Sequence, residues 1–225
     1  PTLPATPAGL QVAPELNPAE ENADAPMEAS LQAQIAPWLP QPVIDAKADL
    51  RNVDASSLWP GAPETRLTGI VELQPDADTG PSAWKASADI RNAVPGPWDQ
   101  EKLPLEQVLA KVGFDGTSWT ISEATVRAGG GRIDAAGKWS PAPSPWQAQA
   151  TVRGVRPGAL YSELSGAPVS GQLKAEQKES TIVFDANLRA EGGAGSKALP
   201  GFALDRALAQ GQWKDQVLDL RTLRV

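Results

Sequence analysis

Between residues 43 and 225 apolar and polar side chains alternate. A period of two marks strands, whose successive side chains point to opposite faces. Ile44, Ala46, Ala48 and Leu50 alternate with Asp45, Lys47, Asp49 and Arg51. Leu67, Gly69, Val71 and Leu73 alternate with Thr68 and Glu72, with Ile70 out of pattern. Trp84, Ala86, Ala88 and Ile90 alternate with Lys85, Ser87, Asp89 and Arg91. The rhythm returns, with slips of phase, in 119–128, 133–139, 146–152, 169–175, 182–190 and 218–225. Such strands predict a sheet with one charged, wet face and one apolar, dry face. Trp59-Pro60-Gly61, Pro95-Gly96-Pro97 and Gly192-Gly193 supply turns. Only 104–111 and 157–164 read as briefly helical, each opening on a proline at a first-turn position.

Composition narrows the chemistry. Proline, at 22 of 225 residues, is about twice as frequent as usual, which favours short strands and turns. The absence of Cys and His removes disulfides, Cys/His metal sites, thiol nucleophiles and imidazole bases. No cofactor is implied and no enzyme is expected. No apolar run approaches a membrane span, and the first residues do not read as a signal peptide. The net charge of −7 is uneven: Glu15, Glu20, Glu21, Asp24, Glu28 and Asp45 all precede the first base, Lys47. Residues 47–225 carry 21 acids and 20 bases and show no basic stripe, so nucleic acid is not expected as a partner.

The organisation reads as three parts. Residues 1–42 are rich in Pro, Ala and Glu and predict a mobile segment, although Met27, Leu31 and Ile35 are spaced for one face of a short helix. Residues 43–145 form a first β unit and 146–225 a second, truncated one. The units are related by an internal repeat. Residues 48–73 align on 150–175 without gaps, pairing Ala48 with Ala150, Arg51 with Arg153, Val53 with Val155, Leu58 with Leu160 and Gly69 with Gly171. Ala88-Asp89-Ile90-Arg91 matches Ala186-Asn187-Leu188-Arg189, and Leu109-Ala110 matches Leu208-Ala209. The second copy stops early, and both ends read as cuts from a longer protein.

Several short motifs spell chemistry that their context denies. Asp78-Thr79-Gly80 matches an aspartic-protease triplet, but no second copy supplies the partner carboxylate. Asp76, Asp78 and Gly80 hint at a calcium loop that lacks its remaining ligands. Ser82-Ala83-Trp84-Lys85 fits a serine–lysine signature, yet on a strand residues three apart face opposite ways. Gly129-Gly130-Gly131 joins two strands and reads as a turn or bulge, not a phosphate cradle. Of eight tryptophans, Trp84, Trp119, Trp139 and Trp146 occupy apolar strand phases and are expected to be buried, whereas Trp59 and Trp98 sit beside prolines in turns.

The spacing D-G-x-x-W-x-I-x-x-A-x-V-R-A-G-G-G-R-I-D-A-A-G-K-W over 115–139 resembles repeats of the TamB family, the translocation and assembly module subunit, within the AsmA-like group. The segments from Leu50-Arg51-Asn52-Val53-Asp54 to Trp59, and from Val152-Arg153-Gly154-Val155 to Tyr161, resemble its strand-to-helical-turn element. The resemblance covers about residues 43–225 and implies a periplasmic protein anchored in the inner membrane. It further implies phospholipid transport between inner and outer membrane, outer-membrane protein assembly, and an outer-membrane barrel partner, TamA, met through parts outside this chain.

Period two alone admits either a closed β-sandwich that binds a protein or glycan, or an open trough. The resemblance selects the second. The expected fold is all-β, with repeated antiparallel strands in an elongated, curled sheet, a β-taco-like open trough with short helical turns. Its apolar face would offer a hydrophobic groove to phospholipid acyl chains. The candidate contacts in the first unit are Ile44, Ala46, Ala48, Leu50, Leu67, Val71, Leu73, Trp84, Ala86, Ala88, Ile90, Trp119, Ile121, Ile133 and Ala135. Those in the second are Ala150, Val152, Val169, Leu173, Ile182, Phe184, Ala186, Leu188, Leu218 and Leu220.

Overall fold

The computed structural model describes residues 5–6, 9–12, 15–16, 26–36, 43–141, 146–164, 166–178, 181–191, 206–214 and 217–224. Their strands are β1 (Ala5–Thr6), β2 (Gly9–Val12), β3 (Glu15–Leu16), β4 (Glu28–Ile35), β5 (Val43–Val53), β6 (Leu67–Pro75), β7 (Trp84–Asn92) and β8 (Gln107–Phe114). The series continues with β9 (Trp119–Ala128), β10 (Gly131–Trp139), β11 (Gln147–Val155), β12 (Val169–Lys178), β13 (Thr181–Ala190), β14 (Arg206–Lys214) and β15 (Val217–Arg224). The helical elements are one-turn α1 (Pro157–Leu160) and the 3-10 turns Ala55–Ser57 and Trp98–Gln100.

All fifteen strands belong to one antiparallel sheet. From β4 onward each strand pairs with its neighbours in sequence, while β2 and β3 both pair with β4. Among the described residues the sheet does not close: β15 pairs with β14 and with no other described strand. Strands β4 to β15, spaced about 4.8 Å apart, make a ribbon roughly 55 Å long and, at nine residues per strand, about 30 Å wide. Register shifts in the β4/β5, β5/β6, β8/β9, β9/β10, β11/β12 and β14/β15 pairs mark bulges, which bend strands and add twist, so the ribbon curls. The all-β, open-trough expectation therefore stands. The sandwich alternative does not, since the described strands make no second sheet.

The internal repeat reappears as backbone geometry. In β5 the bulge carries Asn52 at φ +50°, and in β11 the equivalent bulge carries Gly154 at φ +62°. Each bulged N–H donates to a hydroxyl on the next strand, Asn52 to Thr68 Oγ1 (3.2 Å) and Gly154 to Ser170 Oγ (2.8 Å). A Cβ on Gly69 would stand 2.0 Å from the Asp89 carbonyl oxygen, and one on Gly171 would stand 1.9 Å from that of Asn187. Glycine is required at both positions because the neighbouring backbone fills the space of a side chain. A second bulge also recurs: β9 skips Ser122 opposite Lys111/Val112, and β15 skips Arg221 opposite Gln210/Gly211.

Three local expectations are corrected. Residues 28–35, offered as a helical face or loop, form β4, paired with β5 over eight positions. Leu31 and Ile35 share a face at a spacing of four in either a strand or a helix, so the pattern was ambiguous and long-range pairing decides it. The described parts of 1–16 likewise pair as strands. Residues 104–111 were expected to be helical, but β8 begins at Gln107. There Val108, Ala110, Val112 and Phe114 alternate against β7 and β9, and Pro104 merely ends the preceding loop. At 157–164 the helical reading holds for one turn, α1.

The ribbon has little interior. The chain exposes 14,823 Å², against about 9,800 Å² for a compact monomer of 23.6 kDa. Among the described residues the one core cluster is Val152, Val155 and Val169, packed against Ile133, Leu160, Leu173 and Leu188. It lies where α1 folds back at one margin of the sheet. The loops on this margin interlock into a rail. Thr65 Oγ1 accepts from Ala55 N (2.8 Å) and donates to Val53 O (3.1 Å). Asn92 Oδ1 accepts from Arg66 N (2.9 Å), and Ser162 N donates to Asp99 Oδ1 (2.7 Å).

Candidate functional site

Antiparallel register places directly paired residues on the same face, so the pairings thread side chains into rows along the ribbon. One row reads Ala48, Val71, Ala88, Ala110, Ala124, Ala135, Ala150, Leu173, Ala186 and Ala209 across β5 to β14. Eight of its ten members are alanine, which makes a low floor. On the rail side runs a bulkier row with Leu50, Ile90, Val108, Val126, Ile133, Val152 and Leu188, interrupted by Gly69 and Gly171. On the other side run Ala46, Leu73, Ala86, Val112, Ile121, Gly137, Ala148, Ala175, Phe184 and Gly211. Beyond them lies an aromatic margin, where Trp84, Phe114, Trp119 and Trp139 pair in sequence across β7 to β10. The Phe114 and Trp119 rings stack at 4.6 Å with a 30° tilt.

This face is apolar but not dry. Trp119 is 39% exposed, Ile121 41%, Trp139 50% and Trp213 49%, and Trp84 and Trp146 are half-buried. The expected burial of the strand tryptophans is therefore corrected: no second layer of the described chain covers them. Trp59 and Trp98 are exposed in loops, as their prolines suggested.

Most sequence-selected contacts fall on these rows. Leu67 and Val169 lie beyond the bulges at the rail margin, paired with Val53 and Val155. Val152 and Val169 are buried beside Val155, so they belong to the core cluster and not to an accessible surface. Ile44 is the extra residue of the β4/β5 bulge. Ile182 pairs with Trp213, and Leu218 and Leu220 take register positions opposite Trp213 and Gly211. The sequence does not single out Val108 and Ala110, which fall in the 104–111 segment that reads as helical, Val112 just after it, or Ala124 and Val126, displaced in phase by the Ser122 bulge. The matching Lys111–Glu123 pair across β8/β9 was the available signal for both.

The opposite face is charged. Register gathers Arg91, Arg127, Arg132, Arg153 and Arg189 close to one row, although no basic run exists in the sequence. Arg127, Arg132 and Arg153 sit directly opposite one another, an arrangement that is repulsive by itself. Asp134 relieves it, accepting from Arg132 Nε (2.7 Å), Thr125 Oγ1 (2.9 Å) and Arg153 Nη1. The Arg132 bond is the main reason its carboxyl is held down to about 2. Depressions of about 670 and 610 Å³ share Ser122, Ala136, Gln149 and Lys174 in their lining, the first together with Glu176 and the apolar Ile121, Val183 and Phe184, the second with Arg132 and Asp134.

No group of three or more acidic, His or Cys side chains among the described residues is placed to hold a metal ion. Asp76, from the calcium-like motif, instead pairs with Lys85 Nζ at 2.8 Å, and Asp78 lies in the turn between β6 and β7. No protein-family model, curated protein or solved structure matches this chain.

Proposed function

We propose that this chain is a non-catalytic segment whose alanine-floored face carries the acyl chains of phospholipids. The observation that supports the reading is the uncovered row from Ala48 to Ala209, continuous across ten strands. Its two flanking rows lie about 13 Å apart, room for one or two hydrocarbon chains lying along the ribbon. Each methylene removed from water contributes up to about 0.8 kcal/mol. A specific protein partner needs pockets for anchoring side chains. A row of methyl groups repeated from strand to strand offers no such relief and suits a ligand that is itself uniform along its length. The charged reverse face keeps the ribbon hydrated.

With the resemblance to the TamB family, the same face makes this a stretch of a periplasmic conduit between inner and outer membrane that supports outer-membrane assembly. Barrel contact with TamA then falls to other parts of that protein. Photo-crosslinking side chains at Ala88, Ala135 or Leu173 should capture co-purified phospholipid, detected by mass spectrometry of the adducts. The same groups at Ser87, Ala136 or Lys174 should not. Equal capture from both faces, or none from the first set, refutes the proposal.

A further inference from the structure

We infer that a bound lipid lies with its polar headgroup toward the aromatic margin formed by Trp84, Trp119 and Trp139, never toward the rail. This rests on the acyl-chain reading above and adds its polarity.

The two long margins of the apolar face differ in kind. At the rail margin the sheet is capped over β10 to β13, while Trp59 and Trp98 stand exposed in the rail loops between β5 and β8. Leu160 of α1 packs, with Ile133, Leu173 and Leu188, against the buried cluster of Val152, Val155 and Val169, and Val155 is almost fully buried. The Arg156 N–H and its Nε both hold the Gly129 carbonyl at 3.2 Å, which pins the start of α1 against the β9–β10 turn. A hydrated headgroup directed there would have to displace an apolar cluster and lose its water without gaining hydrogen bonds.

The opposite margin is open. Trp119 and Trp139 are exposed although they stand in the apolar phase of their strands. The indole N–H groups of Trp84, Trp119 and Trp139 donate to no acceptor among the described residues. Among the described residues at this margin the polar groups bond to one another. Asp115 Oδ1 closes its turn on Thr117 N (2.9 Å) and Ser118 N (2.7 Å), and the Ser118 and Ser140 hydroxyls meet at 2.6 Å. Tryptophan is suited to a boundary whose one side is oily and whose other side is wet, because its ring is apolar and its N–H seeks an oxygen acceptor. The phosphate and ester oxygens of a phospholipid supply that acceptor, while the chains occupy the alanine row, four residues further in along β7, β8 and β10.

The test uses the chain loaded with phosphatidylcholine spin-labelled either on the headgroup or near the middle of an acyl chain, read by tryptophan fluorescence. The headgroup label should quench the wild type at least twice as strongly as it quenches the Trp119→Phe/Trp139→Phe double variant. The acyl label should lose much less of its effect on that substitution. In the unsubstituted protein, a headgroup photo-crosslinker should label peptides containing Trp119 and Trp139 in preference to 157–164. Headgroup quenching that is unchanged in the double variant, or cross-links concentrated at 157–164, overturns the polarity and leaves the acyl-chain reading standing. Quenching by neither label overturns the acyl-chain reading itself.

Discussion

Replacing Ala135 by Asp puts a carboxylate in the middle of the alanine row, between Ala124 and Ala150 on the adjacent strands. Because the face is uncovered, this charge remains hydrated. The expected cost is that of a poor strand former, about 1 kcal/mol or less. For a chain of this size that lowers the melting temperature by no more than about 4 °C. Were the row the core of a closed sandwich, the same substitution would bury an unpaired charge at about 3–5 kcal/mol and unfold much of the population. Lipid binding responds in the opposite sense. A chain lying along the row meets a new strand every 4.8 Å or so, roughly four methylenes. If half covered, those four are worth about 1.5 kcal/mol, so Ala135→Asp should weaken acyl binding at least about tenfold. Ala136→Asp is the control: it adds the same charge one residue away on the charged face, opposite Gln149, and should leave binding unchanged. Thermal unfolding by circular dichroism and fluorescent fatty-acid titration measure the two quantities. Equal loss of binding in both variants, or collapse of the fold in Ala135→Asp, refutes the reasoning.

Gly69→Ala and Gly171→Ala should each destabilise by about 3 kcal/mol or more, because the added methyl meets a carbonyl oxygen at 2.0 or 1.9 Å. Gly61→Ala, strained only by its φ of +82° in open space, should cost about 1 kcal/mol, and urea unfolding would separate the three. Asp54→Ala removes the acceptor for Ser56 N (3.1 Å) and Thr65 N (2.9 Å) and should cost about 1–2 kcal/mol by the same assay. Asp134, held to about 2 chiefly by Arg132, titrates below its unfolded value of 3.8, so its stabilising effect is complete above pH 4 and lost as pH falls toward 2. The fall in urea midpoint between pH 5 and pH 2.5 should therefore be smaller in Asp134→Asn than in wild type.

Much of this architecture is legible in the alternation itself, because a strand's side chains can occupy only two faces. The repeat was legible too. Arg51/Arg153, Val53/Val155 and Gly69/Gly171 align in sequence because a bulge and a close backbone approach recur in space, and each constrains the residues around it. The reading failed where local and long-range signals disagree. Pro104 opens what resembles a helix, yet Val108 to Phe114 are claimed by pairing on both sides. Leu31 and Ile35 fit two periods at once, and β5 chooses between them. Val152 and Val169 carry the same pattern as their exposed neighbours, and only the return of Leu160 over them makes them core.

The order of residues thus determined that strands form, which side chains share a face, and that one face is charged. Only the tertiary structure decided that the apolar face stays uncovered, that alanines from ten strands meet in one row, and that arginines far apart in the chain stand side by side. The reason is register: alternation is a property of each strand alone, whereas a row exists only once neighbouring strands have fixed their offsets through backbone hydrogen bonds and bulges.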